Sequence, residues 1–186
     1  MSYSESRPLL SVVIPVYNRN QSQIQMTHRC IGSLMATGAG PEEMEIIITD
    51  DASPSWSAPD WYSHPFKVHR NEKNLGFAGN CNRGAKLATA DYLIFLNSDT
   101  EAMAGWFESL GRALAAHPNA IIGPKLIFPP ESDGVARIQS AGGWYDAAKR
   151  PFHRYLNLLA SHRAVDQEER VGWVTGAAIT LSRTLW

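Results

Sequence analysis

Asn74-Leu-Gly-Phe-Ala-Gly-Asn-Cys-Asn-Arg-Gly-Ala-Lys-Leu-Ala-Thr-Ala-Asp-Tyr-Leu-Ile-Phe-Leu-Asn-Ser-Asp-Thr100 decides the fold. In order it reads as a glycine-bearing loop, a helix from about Phe77 to Ala88, a short turn, a buried strand and an abrupt polar end. The apolar run Tyr92 to Leu96 predicts a strand covered on both faces. The polar end is Asn97-Ser98-Asp99. A carboxylate just past such a strand sits at the carboxyl edge of an open α/β sheet, where ligands bind.

The flanking segments repeat this alternation. Leu9 to Val16 is β-branched and almost wholly apolar, which predicts a buried first strand. Pro15 has no N–H to give a ladder, so pairing is expected to fail on at least one side near the strand's end. Gln21 to Thr37 carries Met26, Cys30, Ile31, Leu34 and Met35 at helical spacing, and Gly38, Gly40 and Pro41 stop it. Met44 to Thr49 predicts a second buried strand that runs into Asp50-Asp51-Ala52-Ser53-Pro54. Ser55 to Pro65 is expected to be loop or poorly defined helix. Phe66 to Arg70 predicts a third strand, and Ala104 to His117 a helix with Trp106, Phe107, Leu110 and Leu114 on one side. After Pro118 the pattern weakens. Ala120 to Phe128 and Val171 to Leu181 are strand-like but broken by glycines, Ala136 to Tyr145 holds Gly142-Gly143, and Lys149 to Arg170 is a polar excursion. The order favours an α/β fold with a mostly parallel sheet flanked by helices, plus a small mixed sheet in the C-terminal third.

The 186 residues suffice for one domain with a real core, with 44% hydrophobic and 19% charged residues. A net charge of −1 leaves no electrostatic footprint for nucleic acid. No apolar run approaches bilayer length, and the N-terminus lacks a signal-peptide pattern. The expectation is a cytoplasmic protein without a transmembrane segment, with peripheral membrane association left open. Cys30 and Cys81 are expected as buried thiols. The six His residues show no metal-ligand spacing. Most of the six Trp residues are expected in the core.

Three nucleotide-binding designs are compatible with a glycine loop in an α/β fold. The dinucleotide fingerprint requires glycines directly after the first strand, where this chain has Tyr17-Asn18-Arg19. The phosphate loop requires G-x-x-x-x-G-K-[ST]. Gly79 to Lys86 places the lysine one residue late with no Ser or Thr after it, which turns that side chain by ~100° on a helix. The third design uses acids at strand ends: an aromatic residue and an acid hold a nucleoside, and a second acid holds a divalent cation against a diphosphate. Tyr17, Asp50 or Asp51, and Asp99 stand in those places.

Ser11-Val-Val-Ile-Pro-Val-Tyr-Asn-Arg19, Ile46-Ile-Ile-Thr-Asp-Asp-Ala-Ser53, Asn74-Leu-Gly-Phe-Ala-Gly-Asn-Cys-Asn-Arg-Gly84 and Tyr92-Leu-Ile-Phe-Leu-Asn-Ser-Asp-Thr100 resemble inverting family-2 glycosyltransferases of the GT-A fold. With Gly123-Pro-Lys-Leu126, Gly142-Gly143 and Trp173-Val-Thr-Gly-Ala177, they look most like the rhamnosyltransferase-like branch. Each motif alone is weak; four in this order and spacing are not. The resemblance covers roughly Leu9 to Trp186. It implies a single GT-A-like domain over 1–186, with a nucleotide-binding half at 9–117 and the start of an acceptor-side half at 118–186.

The resemblance also implies roles. Pro15 and Tyr17 would line the base pocket. Asp51, with Asp50, would hold base and ribose. Gly76, Phe77 and Arg83 belong to a loop flanking the diphosphate. Asn97-Ser98-Asp99 matches a D-x-D motif whose first acid is Asn97, so Asp99 would be the principal ligand of Mg or Mn. Trp173 and Gly176 would lie near the donor sugar or acceptor. The donor would be a nucleoside-diphosphate sugar, and the acceptor a glycan or a lipid-linked precursor in polysaccharide biosynthesis. The family's catalytic base lies in a Glu-Asp motif downstream of the Trp-x-x-Gly-Ala segment. This sequence stops at Trp186, and Glu168-Glu169 precedes that segment and reads as a solvated charge pair, so no base is assigned and a chain continuing past Trp186 is expected. The alternatives are a catalytically inactive nucleotide-sugar-binding domain and a nucleotidyltransferase. Tyr17-Asn18-Arg19 argues against the latter, which usually has a glycine-rich basic loop there.

Overall fold

The computed structural model describes residues 9–55, 66–130 and 132–186. The loop or helix expected over Ser55 to Pro65, with Trp56 and Trp61, falls almost wholly outside the described residues. The chain forms two units, Met1–Ala120 with Thr180–Trp186, and Ile121–Ile179.

In the first unit, β1 (Leu10–Val16), β2 (Met44–Asp50), β3 (Lys67–Arg70) and β4 (Tyr92–Leu96) alternate with α1 (Gln21–Met35), α2 (Gly76–Leu87) and α3 (Trp106–Ala116). The sheet order is β3-β2-β1-β4-β9, with β9 spanning Ala178–Ser182. The pairs β1–β2, β1–β4 and β2–β3 are parallel. Every residue of β1 is buried, as its near-continuous apolar sequence demands of a central strand. β4 has the predicted bounds.

Pro15 marks where the sheet opens. β1 stays in register with β2 through Pro15↔Thr49 and Val16↔Asp50. Its register with β4 runs only from Leu10↔Tyr92 to Val13↔Phe95. Proline offers the next ladder position no donor, so the carboxyl ends of β1 and β4 part.

The helices are set by local chemistry. The Asn20 side chain accepts from Gln23 N at 3.0 Å and caps α1. Ile24, Thr27, Cys30, Ile31 and Leu34 form its buried face. Met26 and Met35, expected on that face, are instead exposed, because the stripe turns about the axis over four turns. Gly84 lets α2 come close to the sheet: a Cβ there would lie 2.3 Å from Val13 Cγ1. Beneath it Val13, Ile47, Ala85, Ala88 and Leu93 make one buried cluster. α3 buries Leu110 and Leu114.

Cys30 and Cys81 are buried and unbridged. Burial pushes the Cys30 thiol up to about 12, helped by the charges of Asp99 and Glu101. Burial pushes Cys81 to about 11.

In the second unit the strands are shorter than expected. The small sheet takes the form of two antiparallel pairs, β5 (Leu126–Ile127) with β6 (Ile138–Ser140), and β7 (Gly143–Tyr145) with β8 (Pro151–His153). The polar excursion thus contains β8 and a short 3₁₀ turn, Arg163–Val165. Glu169, expected as solvated charge, is ion-paired to Arg154. The expectation of core tryptophans fails for the described ones: Trp144 and Trp186 are exposed, and Trp106 and Trp173 half-buried. Trp144 lies on the two-stranded β7–β8 pair, Trp106 opens α3, and the Trp173 ring packs against His153. Among the described residues no helix is long and apolar enough to cross a membrane.

Glu45 ties the amino edge of the sheet. It accepts from Ser11 Oγ, from Thr89 N (2.6 Å) and Oγ1 (2.9 Å), and pairs with Lys67 Nζ at 2.6 Å. Burial works against its charged form, but Lys67, Ser11 and Thr89 outweigh it and bring the carboxyl down to about 2. With the folded value below the ordinary one, its contribution is complete above about pH 5 and is lost as pH falls toward 2. Glu45→Gln should cost about 2 kcal/mol at pH 7, less than the full shift implies because Lys67 is partly in solvent. Urea melts of both proteins across pH 2–7 check this, and the gap should close at the acid end.

Candidate active site

The first unit holds a cavity of about 250 Å³ lined by Pro15, Tyr17, Asn18, Gln23, Met26, Phe77, Asn97, Ser98 and Asp99. It lies where β1 and β4 part, at the carboxyl ends of two adjacent parallel strands. Topology produces it: β2 lies on one side of β1 and β4 on the other, so the loops leaving β1 and β4 diverge around a crevice.

Each wall has a local cause. β1 ends at Val16 and delivers Tyr17, which is 37% exposed and whose ring carries the Arg19 guanidinium at 5.2 Å from its centroid. Asn18 is buried; its N–H donates to Ser53 Oγ at 2.8 Å, and its Oδ1 accepts from Thr27 Oγ1 at 3.3 Å. Gln23 and Met26 stand one turn apart at the start of α1. Phe77, 55% exposed, comes from the start of α2.

The floor is the turn after β4. The Asn97 carbonyl accepts from Thr100 N at 3.2 Å and Thr100 Oγ1 at 2.7 Å, and the Cys30 thiol approaches it at 3.7 Å. Asn97 Oδ1, by contrast, is buried with no hydrogen-bond partner. A buried orphan oxygen carries a desolvation cost, and its residue lines the cavity together with Asp99, which is exposed. Two oxygen donors and a neighbouring hydroxyl suit a hard divalent cation that takes its remaining ligands from phosphate and water. Among the described residues no three His, Cys, Asp or Glu gather at one point.

The cavity therefore brings together Pro15, Tyr17, Phe77, Asn97, Ser98 and Asp99 of the expected residues. It does not include Asp50, Asp51, Gly76 or Arg83. Asp50 is fully buried: its carboxylate accepts from Ser53 N at 3.1 Å, from Ser53 Oγ and from Arg70 Nη1. Ala52, at φ 57, turns the chain so that Ser53 returns to Asp50. Asp51 is likewise buried and takes its donors from Asn71, Leu75 and Gly76. Protein donors thus hold in place, at the end of β2, the two acids expected at base and ribose. Arg83 is exposed on α2 outside the lining. Trp173 and Gly176 belong to the second unit, where Trp173 Nε1 donates to the Trp144 carbonyl at 3.2 Å and its ring meets His153 edge-on at 4.8 Å. Asn18, Gln23 and Met26 went unforeseen. Met26 carried a signal, but its helical spacing assigned it to the core.

Arg70→Ala would remove the guanidinium that pairs with the buried Asp50 carboxylate. It should destabilise the fold by about 3 kcal/mol, roughly 6–12 °C in Tm. A calorimetric melt checks this, with Arg70→Lys recovering part of the loss.

Comparison with known proteins agrees with this geometry. The model of glycosyl transferase family 2 matches residues 11–166. Validoxylamine A glucosyltransferase of Streptomyces hygroscopicus subsp. limoneus is 34% identical over 115 residues, 59% of this chain and 24% of that protein. A putative polypeptide N-acetylgalactosaminyltransferase 13 of Drosophila melanogaster is 32% identical over 189 residues, 94% of this chain and 33% of that one. The chain thus spans a quarter to a third of these relatives. Among solved structures, S. aureus TarS 1-349 superposes with a TM-score of 0.55 at 21% identity, over 63% of this chain and 35% of that one. A complex of the same protein with UDP-GlcNAc superposes with a TM-score of 0.55 at 20% identity, over 63% and 34%. The shared fold is GT-A.

Proposed function

Because the chain belongs to glycosyl transferase family 2, we propose that its cavity binds the nucleoside diphosphate of a sugar donor and that the protein transfers a hexose or 6-deoxyhexose to a hydroxyl acceptor with inversion. One observation carries the proposal: Tyr17, Phe77 and the Asn97–Asp99 turn meet in one crevice at the carboxyl ends of β1 and β4. The relatives' names as glucosyl- and N-acetylgalactosaminyltransferases support a hexose, and TarS with UDP-GlcNAc supports a nucleoside-diphosphate donor. The 6-deoxyhexose and the inversion rest on the rhamnosyltransferase-like motifs.

The residues divide the work. Tyr17, Pro15, Met26 and Phe77 give the crevice apolar walls that exclude water from the nucleoside. Asn18 and Gln23 offer polar atoms beside them. Asn97 Oδ1 and the Asp99 carboxylate would hold a divalent cation. When bound, such a cation offsets the charge that builds on a departing diphosphate. The Asn97 and Ser98 side chains, which line the same cavity, would orient the phosphates. In an inverting transfer the acceptor oxygen attacks the anomeric carbon as its bond to the diphosphate breaks, and the acceptor proton passes to a base. No described residue is assigned that role.

Calorimetric titration with UDP, dTDP and GDP, with and without manganese, tests this. At least one should bind, on the order of tenfold more tightly with the metal. Asp99→Ala should erase the metal's advantage while leaving the melting temperature near wild type. A metal-independent wild type, or a variant that keeps the advantage, would sink the metal assignment. Binding of none of the three would sink the donor assignment.

A further inference from the structure

Gln23, Met26, Cys30 and Ser33 follow one another at spacings of three and four, so they share a stripe along α1. The first two line the cavity. The last two reach the chain that leaves β4. The Cys30 thiol lies 3.7 Å from the Asn97 carbonyl. Half-buried Ser33 donates from Oγ to the Cys30 carbonyl at 2.7 Å, and the same oxygen accepts from Ala102 N at 2.8 Å. A hydroxyl can do both at once. Its proton is spent on its own helix, so its lone pair is aimed at Ala102. The Asn97–Asp99 turn is thereby held on both sides. The Asn97 carbonyl is closed by Thr100, and Ala102 is moored to α1. Arg29 and Glu101 add an ion pair at 3.0 Å, but their side chains are 55% and 56% exposed, and such pairs hold little. Ser33 instead joins backbone to backbone through one short side chain. Asp99 is exposed between these moorings, so the path of the backbone is what aims its carboxylate.

We infer that Ser33 is a positioning residue for the cation: by tethering Ala102 to α1 it holds the turn from which Asn97 and Asp99 would meet the ion. This rests on the donor and cation reading above. Ser33 is outside the cavity lining, so it acts through the turn. Small divalent cations demand near-ideal ligand geometry. A turn that drifts therefore loses the ion's contribution before it loses the walls that hold the nucleoside. A hydroxyl that served stability alone would weaken nucleotide binding equally with and without metal.

The test is calorimetric titration of Ser33→Ala, in the full chain, with whichever of UDP, dTDP and GDP the wild type binds, with and without manganese. Alanine is a strong helix former, so α1 should persist, and a circular-dichroism melt checks that it does. Affinity without manganese should stay within about twofold of wild type. The advantage given by manganese should fall from about tenfold to about twofold, the scale of one hydrogen bond. In an Asp99→Ala background, Ser33→Ala should change nothing further, because no carboxylate is left to aim. Ser33→Thr keeps the hydroxyl and should keep the advantage. Equal weakening with and without manganese would overturn the inference alone. So would a full manganese advantage in Ser33→Ala, its loss in Ser33→Thr, or a Ser33→Ala chain that does not fold. A wild type that gains nothing from manganese would overturn the cation reading, and this inference with it.

Discussion

A missing hydrogen-bond donor shapes the binding face of this sheet. β1 is the central strand and needs partners on both sides, but Pro15 has no N–H. The ladder to β2 continues past it, while the ladder to β4 ends at Val13↔Phe95. A parallel sheet with both faces covered has little other freedom to open, since its apolar residues are close-packed against helices. The crevice therefore forms where the two strands part. Tyr17 leaves β1 on one side of it and Asn97 leaves β4 on the other.

Beside that crevice two acids, Asp50 and Asp51, end β2 and are buried. A buried carboxylate is tolerable only with charge or several donors around it. Asp50 gets Arg70 and Ser53. Asp51 gets the amino end of α2 and Asn71. These bonds stitch β2 to the end of β3 and to the start of α2, so the acids make the rim of the crevice rigid. A preorganised rim matters because a pocket held in its binding shape loses less conformational freedom when a ligand arrives. Asn97 Oδ1, in contrast, is buried without a partner at the end of β4.

The long-period signals carried the sheet. Tyr92–Leu96 and Met44–Thr49 are continuous apolar runs bounded by polar turns, and their strands appear where those runs predict. Pro15's effect was also readable, because a ring on nitrogen acts the same way in any fold. The partners of Asp50 and Asp51 were not readable. Arg70 lies 20 residues away and Gly76 lies 25, and no local pattern reports which distant donors a carboxylate will meet. Met26 misled for a related reason: helical spacing shows that it shares a stripe with Cys30, but not how far that stripe extends under its neighbours. In the second unit the strands are two or three residues long. That is too short for period-two alternation to separate them from loop.

The contrast between Asp51 and Asp99 shows why motif position alone does not assign a role. Both are acids that follow apolar parallel strands, and the sequence offers equal grounds for giving each a ligand. Burial separates them. Asp51 is enclosed and accepts from three donors on its two oxygens. Asp99 stands on a turn whose backbone is already satisfied by Thr100, with its carboxylate exposed at the cavity. The same residue type thus stands enclosed among donors at the end of β2 and exposed after β4. In this chain that division falls between the strand that carries α2's cap and the strand that ends at the open side of Pro15.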